Sequence, residues 1–367
     1  MDFSRILVIK PSSLGDIVHA LPTVASLRRR FPSAKITWLV KREWAAVLEG
    51  NPDLNEVLAL DLSLKGWLAA WRAVRAGRFD TVVDLQGLLR SALLGWISGA
   101  PIRIGFANSR EGSPWFYTER VPVPSPSMHA VDRYLLTAQC LGADPGEVKP
   151  SDFPLPHETQ AEARVEVLLA AAGIQAGATL VAMNPSARWE TKRWPLESFV
   201  AVGDRLQQDG AARVVLIGGR DVRHTGKQVM RKMRTTPIDL MGQTTLKELI
   251  ALLRRARLLV TNDSGPMHLA AAVGTPVIAL FGPTDPTRTG PYGAGHTVLR
   301  SGVPCSPCFS RRCTNAVELE CLTAIQPQQV MDAVMRLLEQ PLNVQRSHPH
   351  PSLPPRGGGL GWGANNE

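Results

Sequence analysis

The chain has 367 residues, a hydrophobic content of 44% and a formal net charge of +9. That length predicts two domains with substantial cores, and the charge suits an anionic partner: a nucleotide, a phosphorylated glycan, a membrane surface or a nucleic acid. No apolar run approaches the roughly 20 residues of a membrane-spanning helix, and no secretory signal pattern is seen, so we expect a cytoplasmic protein.

Strands and helices alternate through the first part of the chain. Strands are predicted for RILVI, KITWLV, EVLAL and TVVDL, and helices for DIVHALPTVASLRRRF, GWLAAWRAVRAG and LLRSALLGWIS. This alternation is typical of βαβ units in a parallel sheet with helices on both faces. We predict a first α/β domain over residues 1–160.

The pattern weakens between Val121 and Pro156, where two proline-rich stretches flank a predicted helix, AVDRYLLTAQCLG. Proline disfavours continued regular structure. We place the link between the domains at Pro150 to Ala176, including the predicted helix ETQAEARVEVLLAAAG.

The alternation then restarts and predicts a second α/β domain over residues 176–340. Its strands are TLVAMNP, ARVVLIGG, RLLVTND and PVIALFG, and its helices are PLESFVAVGDRLQQDG, LKELIALLRRA, PMHLAAAVG and QPQQVMDAVMRLLEQ. Residues 341–367 are rich in Gly, Pro and Asn, and we predict that this tail is disordered.

The first strand is followed by an unusual turn, IKPSSLGDIVHALP. The apolar run stops at Lys10, and Ser12, Ser13, Gly15 and Asp16 follow before an apolar helical pattern begins. By itself, Asp16 fits the ordinary role of an acid at the positive end of a helix dipole.

A second turn of this kind follows the strand RLLVTND. The helix after it starts near Pro266, and Ser264 or Gly265 can cap it. A helix N-terminus at the carboxyl edge of a parallel sheet is a ready anion site, so we favour phosphate binding here over simple capping by Asp263 and Ser264. His268 fits a structural hydrogen bond nearly as well as a ligand contact.

Two more loops fall at the same predicted edge. In NPSARWETKRWP, Lys192 and Arg193 could meet a diphosphate and Ser186 could donate to an oxygen, although a solvated basic loop is the simpler interpretation. In LIGGRD, Gly218 and Gly219 fit a structural turn as well as a ligand contact.

Five cysteines are present, and Cys305, Cys308, Cys313 and Cys321 cluster while Cys140 stands alone. The odd count argues against a secreted disulfide framework. The cluster lacks the paired spacing of a zinc knuckle, so a reduced thiol loop and a metal site both stay open.

Several catalytic motifs are absent from the sequence. No Asp-x-Asp pair occurs, which disfavours sugar-nucleotide enzymes that hold a cation in that way. Neither a Walker phosphate loop nor a Gly-x-Ser-x-Gly elbow is found.

Together, ILVIKPSSLGDIVHALP, VVDLQGLLRSALL, KRWP, VTNDSGPMHLAAAVGTPVIALFGPTDP and CSPC resemble the ADP-heptose:lipopolysaccharide heptosyltransferases (glycosyltransferase family 9) from about Arg5 to Leu338. SSLGD and DLQGLLRSA are most similar to the branch that adds the first heptose, and the cysteine loop is more similar to other branches. The resemblance implies a GT-B fold, in which two Rossmann-like domains face each other across a cleft. It also implies inverting, metal-independent transfer of L-glycero-D-manno-heptose from ADP-heptose to the Kdo/heptose core of lipopolysaccharide, with no cofactor, at the cytoplasmic face of the inner membrane.

The resemblance also implies roles for particular residues. Asp16 matches the general base, and Lys192 matches the diphosphate-binding lysine. The acceptor or phosphate side is implied for Lys10, Ser12, Ser13 and Gly15. Donor or nucleotide contacts are implied for Ser186, Thr244, Asp263, Ser264, Gly265 and His268, and no residue is expected to bind metal.

Three alternatives stay open at this stage. A related glycosyltransferase could use another nucleotide-sugar or acceptor. The pI of about 9.7 suits a nucleic-acid-binding protein, but aromatic residues do not interleave with the basic ones and no binding module is recognised. A nicotinamide oxidoreductase is disfavoured because no strand leads into Gly-x-Gly-x-x-Gly.

Overall fold

The computed structural model describes residues 3–340, with the exception of residues 62 and 176. Residues 341–367, for which we predict disorder, lie outside the described residues. None of the helices in the described ranges is long and apolar enough to cross a membrane.

The first sheet contains six described strands, all paired in parallel, in the order β3-β2-β1-β4-β5-β6. The strands are β1 Arg5–Ile9, β2 Lys35–Lys41, β3 Glu56–Leu60, β4 Thr81–Asp84, β5 Ile102–Phe106 and β6 Glu119–Val121. The helices of this half are α1 Leu14–Arg30, α2 Leu64–Ala76, α3 Leu89–Ile97 and α4 Ala130–Cys140.

The second sheet is built in the same way, and its six described strands lie in the order β12-β11-β10-β7-β8-β9. They are β7 Leu180–Asn184, β8 Arg213–Leu216, β9 Ile238–Asp239, β10 Leu258–Asn262, β11 Val277–Leu280 and β12 Thr297–Leu299. The helices are α5 Thr159–Ala171, α6 Leu196–Gln208, α7 Arg223–Lys232, α8 Leu246–Arg255, α9 Gly265–Ala272, α10 Pro286–Thr289, α11 Glu320–Thr323 and α12 Pro327–Glu339.

The central strands are apolar because both faces of each sheet are covered. Residues Ile6 to Ile9 of β1 and Leu258 to Val260 of β10 are fully buried. Near-continuous apolar runs are typical of parallel strands covered by helices on both sides. The two predicted parallel sheets are therefore confirmed.

The strand order reverses at one place in each sheet. In the first sheet, β1 lies between β2 and β4, and in the second sheet β7 lies between β8 and β10. Ligands of such sheets bind in the crevice at the carboxyl ends of the strands beside this reversal. The turns after β1 and β10 both open at such a position.

Several elements, most of them short, were not predicted from the sequence, among them β5, β6, β9, β12 and α7. β9 has two residues and β6 and β12 have three, so each contains too few residues to show a period. α7 is mostly polar and buries Thr225, Gly226 and Val229, which gives a weak apolar stripe.

Candidate active site between the two sheets

Lys10 follows β1 and is buried at the edge of the first sheet, with 4% of its surface exposed. Its Nζ donates to the Leu85 carbonyl at 3.3 Å and lies 3.9 Å from Asp16 Oδ2. Burial lowers the pKa of Lys10, while the charges of Asp16 and Asp84 oppose that change. The Lys10 amine is thus buried, with the Asp16 carboxylate within 4 Å of it.

Asp16 lies in the first turn of α1 and is held by three donors. The backbone N–H and hydroxyl of Ser13 donate to Oδ2 at 3.0 and 2.8 Å, and the Tyr134 hydroxyl donates to Oδ1 at 3.1 Å. Burial alone would raise the pKa of Asp16, but Lys10 and these hydrogen bonds outweigh it, so the pKa is lowered. The Asp16 side chain keeps 35% of its surface exposed. The ionised carboxylate can therefore accept a hydrogen bond from one more donor. Ser12, in the same turn, is partly exposed.

The N-terminus of α1 meets the N-terminus of α9. A Cβ placed on Gly15 would lie 2.3 Å from His268 Cδ2, and one placed on Gly265 would lie 2.8 Å from Leu14 Cδ2. Contacts this short do not occur between real side chains, so each glycine permits the other helix to approach. The predicted residues Gly15, Gly265 and His268 are thus brought together.

Lys192 and Asp263 form a partly buried ion pair on the second sheet's side of the site. Lys192 lies in a short 3-10 turn after β7, and its Nζ is 2.6 Å from Asp263 Oδ2. The Thr284 hydroxyl donates to the same oxygen at 2.6 Å, and the ammonium lies 4.8 Å from the centre of the Trp189 ring. These contacts place the lysine beside the start of α9.

Asn184, the last residue of β7, links two of the predicted hydroxyls. Its Nδ2 donates to Ser264 Oγ at 2.8 Å, and Ser186 Oγ donates to Asn184 Oδ1 at 2.8 Å. Ser264 occupies the N-cap position of α9, but its hydroxyl donates to the Asn262 carbonyl and makes no cap hydrogen bond. Pro266 has no N–H and the Met267 N–H donates to the Ser264 carbonyl at 3.1 Å, so the Gly265 N–H is the first-turn donor of α9 left for an anion.

Thr244 lies farther along the same edge, in the loop between β9 and α8. This loop is joined to the turn after β8 by a hydrogen bond from the Gly242 N–H to the Gly218 carbonyl, at 2.8 Å. A Cβ on Gly218 would lie 3.4 Å from Ser186 Oγ. The turns after β7, β8 and β9 thus adjoin, although Thr244 is more peripheral than Ser186.

Three buried histidines pack behind the meeting helices. The ring of His19 lies 4.3 Å from that of His268 and 5.0 Å from that of His129, measured between centroids. Neither His19 nitrogen has a hydrogen-bond partner in the described part of the chain. Burial lowers the pKa of His19 and of His268; neighbouring histidines add to the effect at His19, whereas Asp263 and Asp16 oppose it at His268. This contact between the halves consequently favours neutral rings.

The clustered cysteines lie beside the Lys192 turn. Free thiols are found at all five cysteines, each within the described ranges. Cys305, Cys308, Cys313 and Cys321 line one small cavity with Thr191, whose hydroxyl donates to the Ser310 carbonyl. Burial and the other three thiols raise the pKa of Cys321 to about 11. Among the residues described, no group of three or more His, Cys, Asp or Glu side chains is arranged to hold a metal ion.

Sequence reasoning missed three residues that organise the site: Tyr134, Asn184 and Thr284. Asn184 ends a buried strand as a polar residue, which is a signal that could have singled it out. Thr284 is part of the GPTDP segment already noted, but nothing local connects it to Asp263. Tyr134 lies in α4, 118 positions from Asp16, and carries no sequence signal for this contact.

Residues 67–317 match the family model described as "Glycosyltransferase family 9 (heptosyltransferase)". Lipopolysaccharide heptosyltransferase 1 of Pseudomonas aeruginosa is 28% identical, over 92% of this chain and 99% of that protein.

Two solved structures share the arrangement of both sheets. A glycosyl transferase family 9 protein from Veillonella parvula superposes with a TM-score of 0.82 at 29% identity, covering 92% of this chain and 98% of the other. Escherichia coli heptosyltransferase WaaC, solved with ADP-2-deoxy-2-fluoro heptose, gives a TM-score of 0.64 at 24% identity, covering 89% and 99%. These likenesses confirm the predicted GT-B fold.

Proposed function

The chain belongs to glycosyltransferase family 9, the heptosyltransferases, and from this premise we propose that it transfers L-glycero-D-manno-heptose from ADP-heptose to the Kdo/heptose inner core of lipopolysaccharide. The predicted family and the predicted class of enzyme, a glycosyltransferase, are confirmed. Support for the donor comes from the ADP-heptose analogue named with the E. coli structure, and support for the acceptor comes from the name of the P. aeruginosa relative.

Asp16 acts as the general base in this proposal. Inversion needs a single displacement, so one base on the attacking hydroxyl suffices, and a carboxylate at hydrogen-bond distance can take its proton. The hydrogen bonds from Ser13 and Tyr134 fix the carboxylate, while its partly exposed surface leaves a place for the acceptor. Lys10 and the turn around Ser12, Ser13 and Gly15 border the acceptor and phosphate side.

The second sheet's side holds the donor and stabilises the leaving group. As ADP departs, negative charge grows on its diphosphate. Lys192 and the positive end of the α9 dipole, with the Gly265 N–H, supply positive charge there without reorganising. Ser186, Ser264 and Thr244 offer hydroxyl contacts to the nucleotide, and Asp263 keeps Lys192 in position. This arrangement requires no metal.

The two halves divide the work between them. We assign acceptor binding to residues 1–160 and donor binding to residues 176–340, with the reaction in the cleft. Enclosure between them limits access of water, which competes as an acceptor. Since the acceptor is lipid-linked, the enzyme works at the cytoplasmic face of the inner membrane as a peripheral protein.

One observation carries the assignment of Asp16 and Lys192 to a single reaction. The Gly15–His268 contact brings the first turn of α1, with the candidate base, against the first turn of α9, with the candidate anion site. If Asp16 served only as an acid at the positive end of the α1 dipole, the first turn of α1 would not need to lie against an anion site.

The test is transfer by the purified protein from ADP-heptose to a set of truncated core acceptors: lipid A with Kdo alone, with one heptose and with two heptoses. With one of these acceptors we expect a product heavier by one heptose. The new linkage should have the anomeric configuration opposite to that of the donor, and the rate of transfer should not fall when EDTA is added. Other nucleotide-sugars, offered alone and in competition, are the control for the donor. Transfer from another nucleotide-sugar in preference to ADP-heptose would instead favour the related glycosyltransferase.

A further inference from the structure

Large apolar side chains are exposed together on the half that contains the first sheet. The exposed fraction is 85% for Trp115, 56% for Trp96, 45% for Trp71, 44% for Leu68 and 39% for Leu89. Isolated exposed apolar residues are normal in proteins, but several on adjoining elements mark an interaction surface.

These residues lie on elements that pack against each other. Leu68 and Trp71 share one face of α2 by their helical spacing, and α2 packs on α3, which carries Leu89 and Trp96. α3 in turn packs on the 3-10 turn Ser113–Phe116, where the Phe116 ring lies 6.4 Å from that of Trp96. We call Leu68, Trp71, Leu89, Trp96 and Trp115 the tryptophan face.

Positive charge borders the tryptophan face. Arg72, Arg75 and Arg78 line an open groove together with Trp71. Arg90, next to Leu89, is also exposed. In the described ranges the remaining exposed large hydrophobics are spread over other elements: Val167, Met230, Val298, Phe309, Val317 and Met335.

We propose that the tryptophan face docks on the surface of an anionic lipid bilayer. Tryptophan rings are favoured at the interface of a membrane because one edge is apolar and the other polar. Arginines beside them meet lipid phosphates while their stems stay along apolar surface. A polar protein partner would match the arginines but leave three tryptophans uncovered.

The position of the face fits a lipid-linked acceptor, and in this respect the inference rests on the proposed function. α3 begins five residues after β4, whose neighbour β1 leads into Lys10 and Asp16. The backbone N–H of Leu89 donates to the Glu111 carboxylate at 3.2 Å, which fixes the start of α3 at this edge. Docking would thus hold the acceptor side of the cleft close to the bilayer.

The experiment is co-sedimentation of the full chain with vesicles of phosphatidylethanolamine and phosphatidylglycerol, compared with vesicles of phosphatidylcholine. We expect binding to the anionic vesicles, with a blue shift of tryptophan fluorescence, and at least tenfold weaker binding to the neutral ones. The double variants W96S/W115S and R72E/R90E should each lose about tenfold or more in binding. The matched controls Val167→Ser and Arg231→Glu, exposed on α5 and α7, should bind like the unaltered chain.

Three results would overturn the proposal: no vesicle binding by the unaltered chain, binding unchanged in both double variants, or a tryptophan-dependent dimer that ignores vesicles. Circular dichroism checks that the variants fold. Transfer to a water-soluble acceptor fragment separates the two hypotheses: loss of docking leaves it intact, whereas failure of the transfer reaction leaves vesicle binding intact.

Discussion

The imidazole ring of His268 occupies the space in which a side chain on Gly15 would begin. A Cβ on Gly15 would lie 2.3 Å from His268 Cδ2 and 2.7 Å from its Nε2. Gly15 belongs to α1 and His268 to α9, so this contact fixes how closely the two halves of the molecule approach. The distance between the candidate base, Asp16, and the donor site at the start of α9 depends on how closely the two halves approach.

Gly15→Ala should separate the two helices and lower both stability and transfer. Overpacking of a close contact costs about 1–3 kcal/mol, and we expect that loss in the free energy of unfolding measured in urea. His268→Ala in the same chain makes room for the new methyl group, so the double variant should be more stable than the sum of the two single changes predicts. Strictly additive losses would contradict the contact.

Asp16→Asn should reduce transfer by about 10²–10⁴-fold while ADP binding persists, because an amide cannot accept the acceptor's proton. Glu248→Gln is the matched control. Glu248 holds the same position in the first turn of α8, where it accepts from the Thr245 N–H at 2.7 Å. Should both variants keep nearly normal turnover, Asp16 serves only as a capping acid. Rates with saturating acceptor, together with ADP titrations, distinguish these cases.

Lys192→Met should weaken ADP binding and slow transfer by roughly 10²-fold or more, because a preorganised charge at the leaving group is lost. Lys232→Met is the control. Lys232 pairs with Glu197 at 2.8 Å on the surface, and an exposed pair contributes little. Equal effects of the two substitutions on kcat would argue against a role for Lys192 in the reaction. Calorimetry with ADP and steady-state rates measure the two quantities.

Stability should fall between pH 7.5 and pH 5.5 because of His19 and His268. Their folded pKa values lie below the ordinary 6.5, so the unfolded chain takes up more protons as the pH falls through 6.5. Below pH 6.5 each histidine then costs up to about 1.4 kcal/mol per pH unit, until the pH reaches its folded pKa. The lowered pKa of Asp16 acts only below its ordinary 3.8, outside this window.

His19→Leu tests that origin of the pH dependence. The substitution removes one titrating ring together with its two unpartnered nitrogens. Thermal unfolding at the two pH values should show a smaller decrease than in the unaltered chain, with the gain concentrated at pH 5.5. His224→Leu, a change at an exposed histidine, should leave the decrease as it was. An unchanged decrease in His19→Leu would assign it to other groups.

The thiols of the cysteine loop should differ in reactivity. Cys305 and Cys308 are exposed, whereas Cys321 is buried with its pKa raised to about 11. Since the thiolate is the reactive species, iodoacetamide at pH 8 should alkylate Cys305 and Cys308 well before Cys321. Peptide mass spectrometry over time gives the order, and early modification of Cys321 would show that the loop opens in solution.

Much of the fold could be predicted because each central strand is a local apolar run and each long helix has a local period. The turns around Asp16 and around Asp263 to His268 were found in the same way, since polar residues interrupt apolar elements there. Elements at the sheet edges were missed: β9 has two residues, and its pairing with β8 rather than any local pattern makes it a strand.

The sequence by itself determined two parallel α/β units, the carboxyl-edge turns that hold Lys10, Asp16, Lys192 and His268, and the family. Only the tertiary structure decided which groups touch those residues. Tyr134 reaches Asp16 across 118 positions, and Thr284 reaches Asp263 from the next turn. Local patterns report the burial of a residue's own segment, whereas these contacts depend on how separate helices pack. For the same reason, no local pattern indicates that Gly15 must make room for His268.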